Sequence, residues 1–137
     1  MQNSKPILLV EDDDVDAIIT KRALGDIKVT NELVHRVNGE DALDYLQNQA
    51  NPKPCFILLD LNMPRMNGFE FLKIAKADES LKKIPVIVLT TSDEDRNVVD
   101  SFNLHAAGYI VKPVDYKQFI KAMRTLDVYW TLNRLPN

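Results

Sequence analysis

Cys55-Phe56-Ile57-Leu58-Leu59-Asp60 is the stretch on which the fold turns. Five apolar residues run without interruption and stop at an acid. Such a run reads as a strand buried on both faces, in the middle of a parallel sheet. Asn51-Pro52-Lys53-Pro54 just before it breaks any helix, because proline lacks a backbone donor and restricts the residue preceding it. The same signature recurs outward in both directions. Ile7-Leu8-Leu9-Val10 is a continuous apolar run followed by acids, and Pro85 opens another, Val86-Ile87-Val88-Leu89. Tyr109-Ile110-Val111 is a shorter version, and Glu32 to Val37, with Leu33, Val34 and Val37, reads as a strand at a sheet edge.

Helical spacing fills the intervals. Val15, Ile18, Ile19 and Ala23 form one stripe over residues 14–24, with Gly25 as the stop. Asn38-Gly39 reads as a turn, and Ala42, Leu43 and Leu46 predict a helix to about Gln49. Asp60 to Asn67 reads as a loop, and Phe69, Leu72, Ile74 and Ala75 mark a third helix. Val98, Val99, Phe102 and Ala106 mark a fourth, ended by Gly108. Phe119, Met123, Leu126 and Trp130 share one face of a long last helix. Five strand–helix repeats predict an α/β doubly wound parallel sheet with helices on both faces. Sites in such folds lie outside the carboxyl ends of the strands.

Composition narrows the classes. The chain has 137 residues, 45% hydrophobic and 27% charged, which suits one globular domain with its own core. Seventeen basic against 20 acidic residues give a net charge of −3, which argues against broad nucleic-acid binding. The single cysteine, Cys55, excludes an internal disulfide and a thiolate metal site. No apolar stretch approaches the length of a membrane span, and no signal-peptide pattern is evident. The expectation is a cytoplasmic protein of one domain over residues 1–137, its core at about 5–130 and a C-terminal helix extension to about 135, with no output domain.

The strand ends carry the chemistry. Strand one ends in Glu11-Asp12, strand three in Asp60, strand four in Thr90-Thr91-Ser92 and strand five in Lys112-Pro113. Clustered carboxylates repel, and a hard divalent cation such as Mg²⁺ relieves that repulsion through oxygen ligands. A carboxylate can also attack phosphorus to form an aspartyl phosphate. Positive charge and a hydroxyl donor near the transferring oxygens complete what phosphoryl transfer needs. Asp13, Asp14 and Asp16 are better read as helix N-terminal acids favoured by the dipole. His35 and His105 have no partner ligand nearby in sequence, and Cys55 reads as a small core residue.

Ile7 to Asp12, Leu58-Leu59-Asp60-Leu61-Asn62-Met63-Pro64 with Gly68, Val88-Leu89-Thr90 and Gly108 to Pro113 together resemble response-regulator receiver domains of two-component signalling. The resemblance spans residues 5 to about 130. Thr90-Thr91-Ser92, the insertion at Pro52-Lys53-Pro54 and the tail through Trp130, Leu135 and Pro136 are similar to stand-alone regulators associated with bacterial phytochromes. It implies a flavodoxin-like sheet of strand order 2-1-3-4-5. It also implies Asp60 as phosphoacceptor, Asp12 and Glu11 as acids of a Mg²⁺ site, and Asn62 as a metal ligand through its backbone carbonyl. Thr90 and Lys112 would contact the phosphoryl group, Tyr109 would be the aromatic switch, and the Lys112-Pro113 bond would be cis. The implied partners are a sensor histidine kinase and a second copy of the chain, docked through the fourth helix, fifth strand and fifth helix. Thr91 departs from the commoner Ala or Gly, and its bulk is expected to narrow donor access; Glu11 departs from the commoner Asp by one methylene.

Two other classes share parts of this pattern. A haloacid-dehalogenase-like phosphatase needs a second titratable Asp where this chain has Asn62, and turnover of p-nitrophenyl phosphate would reveal it. A flavodoxin-type redox protein needs a hydroxyl- and glycine-rich loop after strand one, where Glu11-Asp12-Asp13-Asp14 would repel a flavin phosphate. The expectation is a signalling protein that catalyses only its own phosphotransfer and dephosphorylation.

Overall fold

A computed structural model describes residues 5–61, 66–90, 106–111, 116–117 and 120–125, with backbone alone at Thr90 and Val111. Strands β1 (Ile7–Val10), β2 (Leu33–Arg36), β3 (Phe56–Asp60), β4 (Val86–Thr90) and β5 (Gly108–Val111) form one sheet of order β2-β1-β3-β4-β5. Every neighbouring pair is parallel. Helices α1 (Asp14–Asp26), α2 (Gly39–Gln47) and α3 (Gly68–Ala77) connect the first four strands in turn, save that α3 and β4 are joined by a further loop. Residues 116–117 and 120–125 are helical.

The period-two alternation of the strands sorts the core into two layers. Leu8, Val10, Ile57, Leu59, Val86 and Val88 pack with Ala42, Leu43 and Leu46 of α2 and Phe71, Leu72 and Ala75 of α3. Ile7, Leu9, Phe56, Leu58, Ile87, Leu89 and Ile110 pack on the other face with Ala17, Ala23 and Leu24 of α1 and with Met123. All four residues of β1 are completely buried. Each such side chain contributes about 1.5–3 kcal/mol, so both faces hold β1 in register. That register sets Val10 beside Leu59, which brings the residues after them, Glu11 and Asp60, to one level at the carboxyl rim. Cys55 is buried in the α1-side layer, and burial pushes its thiol pKa up, as suits a core residue.

Some local expectations change. The buried face of α1 is Ala17, Thr20, Ala23 and Leu24, whereas Val15 and Ile18 are 64% and 66% exposed. Small residues let this helix sit close to the sheet, and Thr20 satisfies its hydroxyl on the Asp16 carbonyl at 2.9 Å. Gly25 does not stop α1, which runs on to Asp26; the chain reverses at Lys28, in the left-handed region at φ 63°. Gly39 opens α2 rather than a turn, because the Asn38 side chain caps the helix on Asp41 N–H at 2.9 Å. Gly108 belongs to β5, and Ala106 lies outside any helix. Val98, Val99, Phe102, Phe119, Leu126 and Trp130 lie outside the described residues.

Candidate functional site

β3 lies between β1 and β4, so Asp60 at its end has Glu11 and Asp12 on one side and Thr90 on the other. Asp60 is 6% exposed and Glu11 is completely buried, while Asp12 is exposed. One carboxylate oxygen from each of the three lies within 4.8 Å of the others. Two buried acids beside an exposed third gather three carboxylate oxygens in one place among the described residues. Hard divalent cations take this donor set, with remaining positions left to water or a substrate oxygen.

Local structure aims these groups. Asp13, next in the chain, is the N-cap of α1 and accepts from Val15 N–H at 2.8 Å and Asp16 N–H at 3.0 Å. That cap uses Asp13 for the helix terminus, while the backbone N–H of Asp13 reaches back to Glu11 Oε2 at 3.4 Å. Asp14 and Asp16 stand in the first turn of α1, as acids favoured there by the dipole. On the far side, α3 starts against the peptide that carries Asp60. Gly68 N–H donates to the Leu61 carbonyl at 3.1 Å, and a Cβ on Gly68 would lie 2.5 Å from both the Asp60 carbonyl oxygen and Leu61 Cα. A similar close approach joins Gly39 N–H to the Met66 carbonyl at 2.9 Å, tying the start of α2 to the segment before α3.

Tyr109, on β5, is half-buried against the layer that includes α2 and α3. Thr90 ends β4 in register with Val111, the residue before Lys112. Asn62, Thr91, Ser92, Lys112 and Pro113 lie outside the described residues, as does His105. Three of the expected site residues, Glu11, Asp12 and Asp60, are therefore brought together directly, and Thr90 is placed by its backbone.

Sequence inspection missed several supporting groups. His35 on β2 places Nε2 2.6 Å from the Glu11 carbonyl oxygen, a contact across strands that no spacing announces. Asn67 and Glu70 form a capping box, with Asn67 Oδ1 accepting from Glu70 N–H at 3.0 Å and Glu70 Oε1 accepting from Asn67 N–H at 3.3 Å. The Asn-x-x-Glu pattern was visible and marks a helix start. Tyr116 donates its hydroxyl to Asp26, and the Arg22 guanidinium lies 5.0 Å from its ring centroid, joining α1 to the last helical residues.

Known proteins are similar to this chain in sequence and fold. The family described as the response regulator receiver domain matches residues 7–124. The chain is similar to response regulator Rcp1 of Synechocystis sp., at 37% identity over 130 residues, covering 92% of this chain and 88% of that one. Among solved structures, the phosphorylated cyanobacterial phytochrome response regulator RcpA superimposes with a TM-score of 0.85 at 36% identity, covering 98% and 100% of the two chains. The Mn²⁺-bound form of Rcp1 superimposes with a TM-score of 0.82 at 36% identity, covering 97% and 99%.

Proposed function

The chain belongs to the response regulator receiver family, and from that premise we propose that it accepts a phosphoryl group from a sensor histidine kinase on Asp60. The observation that carries this is the setting of Asp60: buried, central on the carboxyl rim, and within 4.8 Å of two further carboxylates. An Asp60 carboxylate oxygen attacks the phosphorus of a phosphohistidine. The new O–P bond forms as the P–N bond breaks, and the departing imidazole keeps the electron pair and takes a proton. Burial of Asp60 limits its hydration.

Asp12, Asp60, the Asn62 carbonyl and, through water, Glu11 are the groups that would hold Mg²⁺. When bound, the ion neutralises the clustered acids and the charge that develops on phosphoryl oxygens. Lys112 adds a second positive charge for those oxygens, and the Thr90 hydroxyl donates to one of them. Phosphorylation adds about −1.5 to −2 charge at Asp60. Thr90 then closes on the phosphoryl group, Tyr109 turns inward, and an equilibrium between two pre-existing conformations shifts.

The output is protein–protein contact or onward phosphorelay by a cytoplasmic regulator, with no turnover of a separate substrate. The similarity to cyanobacterial phytochrome regulators favours a phytochrome-like kinase as donor. Neither nucleic acid nor membrane is a partner; among the described residues no helix is long and apolar enough to cross a membrane. A homodimer through the fourth helix, fifth strand and fifth helix is the proposed assembly, since Tyr109 would then sit beside the interface. Sedimentation with and without beryllofluoride tests that assembly, and a monomer in both states removes it.

A metal titration tests the site. Asp12→Ala is expected to weaken Mg²⁺ affinity by about 10-fold or more. Asp14→Ala, in an exposed helical first turn outside the carboxylate cluster, is expected to leave it unchanged. Equal losses in the two variants would overturn the ligand assignment.

A further inference from the structure

We propose that His35 is a positioning residue for the carboxylate pair: its Nε2–H holds the Glu11 carbonyl and so fixes the peptide that joins Glu11 to Asp12. This rests on the proposed metal site and adds a residue from the sheet edge to it.

The peptide between Glu11 and Asp12 is a rigid plane that joins the two acids, so holding its carbonyl restricts ψ of Glu11 and φ of Asp12 together. One flank is fixed by the strand ladder, where Glu11 N–H donates to the Arg36 carbonyl at 2.9 Å. The next rung of a parallel ladder would bring a β2 main-chain N–H to the Glu11 carbonyl. β2 ends at Arg36, and Asn38 leaves the strand to become the N-cap of α2. At that point a β2 side chain supplies the donor, with His35 Nε2 2.6 Å from the Glu11 carbonyl oxygen. A carbonyl oxygen carries no proton, so Nε2 must carry it, which sets the tautomer.

The ring stands between α1 and the edge of the sheet. His35 is the register partner of Leu9, two residues before Glu11 and on the same face of β1. It lines a groove of about 360 Å³ between α1 and the sheet edge, with Leu9 and Leu33 on the strands and Ala17 and Ile18 on the helix. Groups that orient metal-ligating side chains matter nearly as much as the ligands, typically 10–100-fold in affinity. His35 does this through the main chain: it touches neither carboxylate, yet holds the link between them.

Two measurements on the full chain test this. In metal-free protein with the ring neutral, nitrogen-15 NMR should show His35 Nε2 as the protonated nitrogen, with a slowly exchanging Nε2–H; a dominant Nδ1–H tautomer would overturn the proposal. Calorimetric titration with Mn²⁺ should then show His35→Leu weakened about 10-fold, with most of the loss restored in His35→Gln, whose amide can donate. Val34→Ala, a neighbouring loss of packing on β2, should leave affinity unaltered. Unchanged affinity in His35→Leu, or an equal loss in His35→Gln, would reduce His35 to a packing residue. Failure of the native protein itself to bind Mn²⁺ would instead sink the metal site, while the tautomer would still decide the hydrogen bond.

Discussion

Helices α1 and α3 flank the same carboxylate rim from opposite faces of the sheet, and they use their sequences in opposite ways. α3 turns its bulk inward: Phe71, Leu72 and Ala75 are buried, and a capping box fixes its first turn. It begins at Gly68, where backbone meets backbone with no space for a Cβ beside Asp60. α1 rests on small residues and turns Val15 and Ile18 outward. Its glycine, Gly25, has nothing within 4 Å of where a Cβ would be. The lesson is that α3 fills its layer behind Asp60 with large side chains, whereas α1 sits close to the sheet on mostly small ones, leaving Val15 and Ile18 at the surface.

The contrast can be broken first at Gly68. Gly68→Ala forces main chain apart at two contacts of 2.5 Å, and is expected to cost about 3 kcal/mol. Urea unfolding measures that cost. Phosphorylation of Asp60 should slow in the fraction that stays folded. A neutral Gly68→Ala would mean that α3 is not seated as described.

Ala23, completely buried on the inner face of α1, gives the next largest effect. Ala23→Leu should cost about 2 kcal/mol through overpacking, because Ala23 is packed in the buried layer beneath α1. A gain in stability would show that this layer is underpacked instead.

Lys28 sharpens the comparison at the far end of α1. A lysine at φ 63° bears strain that glycine does not. Lys28→Gly is expected to stabilise by about 0.5–1 kcal/mol, the relief being partly offset by greater freedom of the unfolded chain. Thermal unfolding reads the sign. The smallest change belongs to Ile18→Gln on the exposed face, which should stay within about 0.5 kcal/mol of the native protein. A larger loss would mean that this face is covered.

The same two helices explain what the sequence disclosed. β1, β3 and β4 were legible because strands buried on both faces need continuous apolar runs, and their ends then had to carry Glu11, Asp60 and Thr90. α3 was legible in part: Leu72 and Ala75 of the expected stripe are buried, but Ile74 is at the surface and Phe71, outside that stripe, is completely buried. α1 misled because apolar spacing reports where large residues recur, and this helix docks with Ala17, Thr20 and Ala23 instead. The reversal at Lys28 carried no glycine signal, so Gly25 drew the helix end two residues too early. His35 was hidden because its partner is a main-chain carbonyl on another strand, which leaves no trace in residue type.

Intact-mass spectrometry tests the central claim most directly. After incubation with acetyl phosphate and Mg²⁺, the native protein and Asp14→Asn should each gain one phosphoryl group, and Asp60→Asn should gain none. Undiminished phosphorylation of Asp60→Asn would contradict the account.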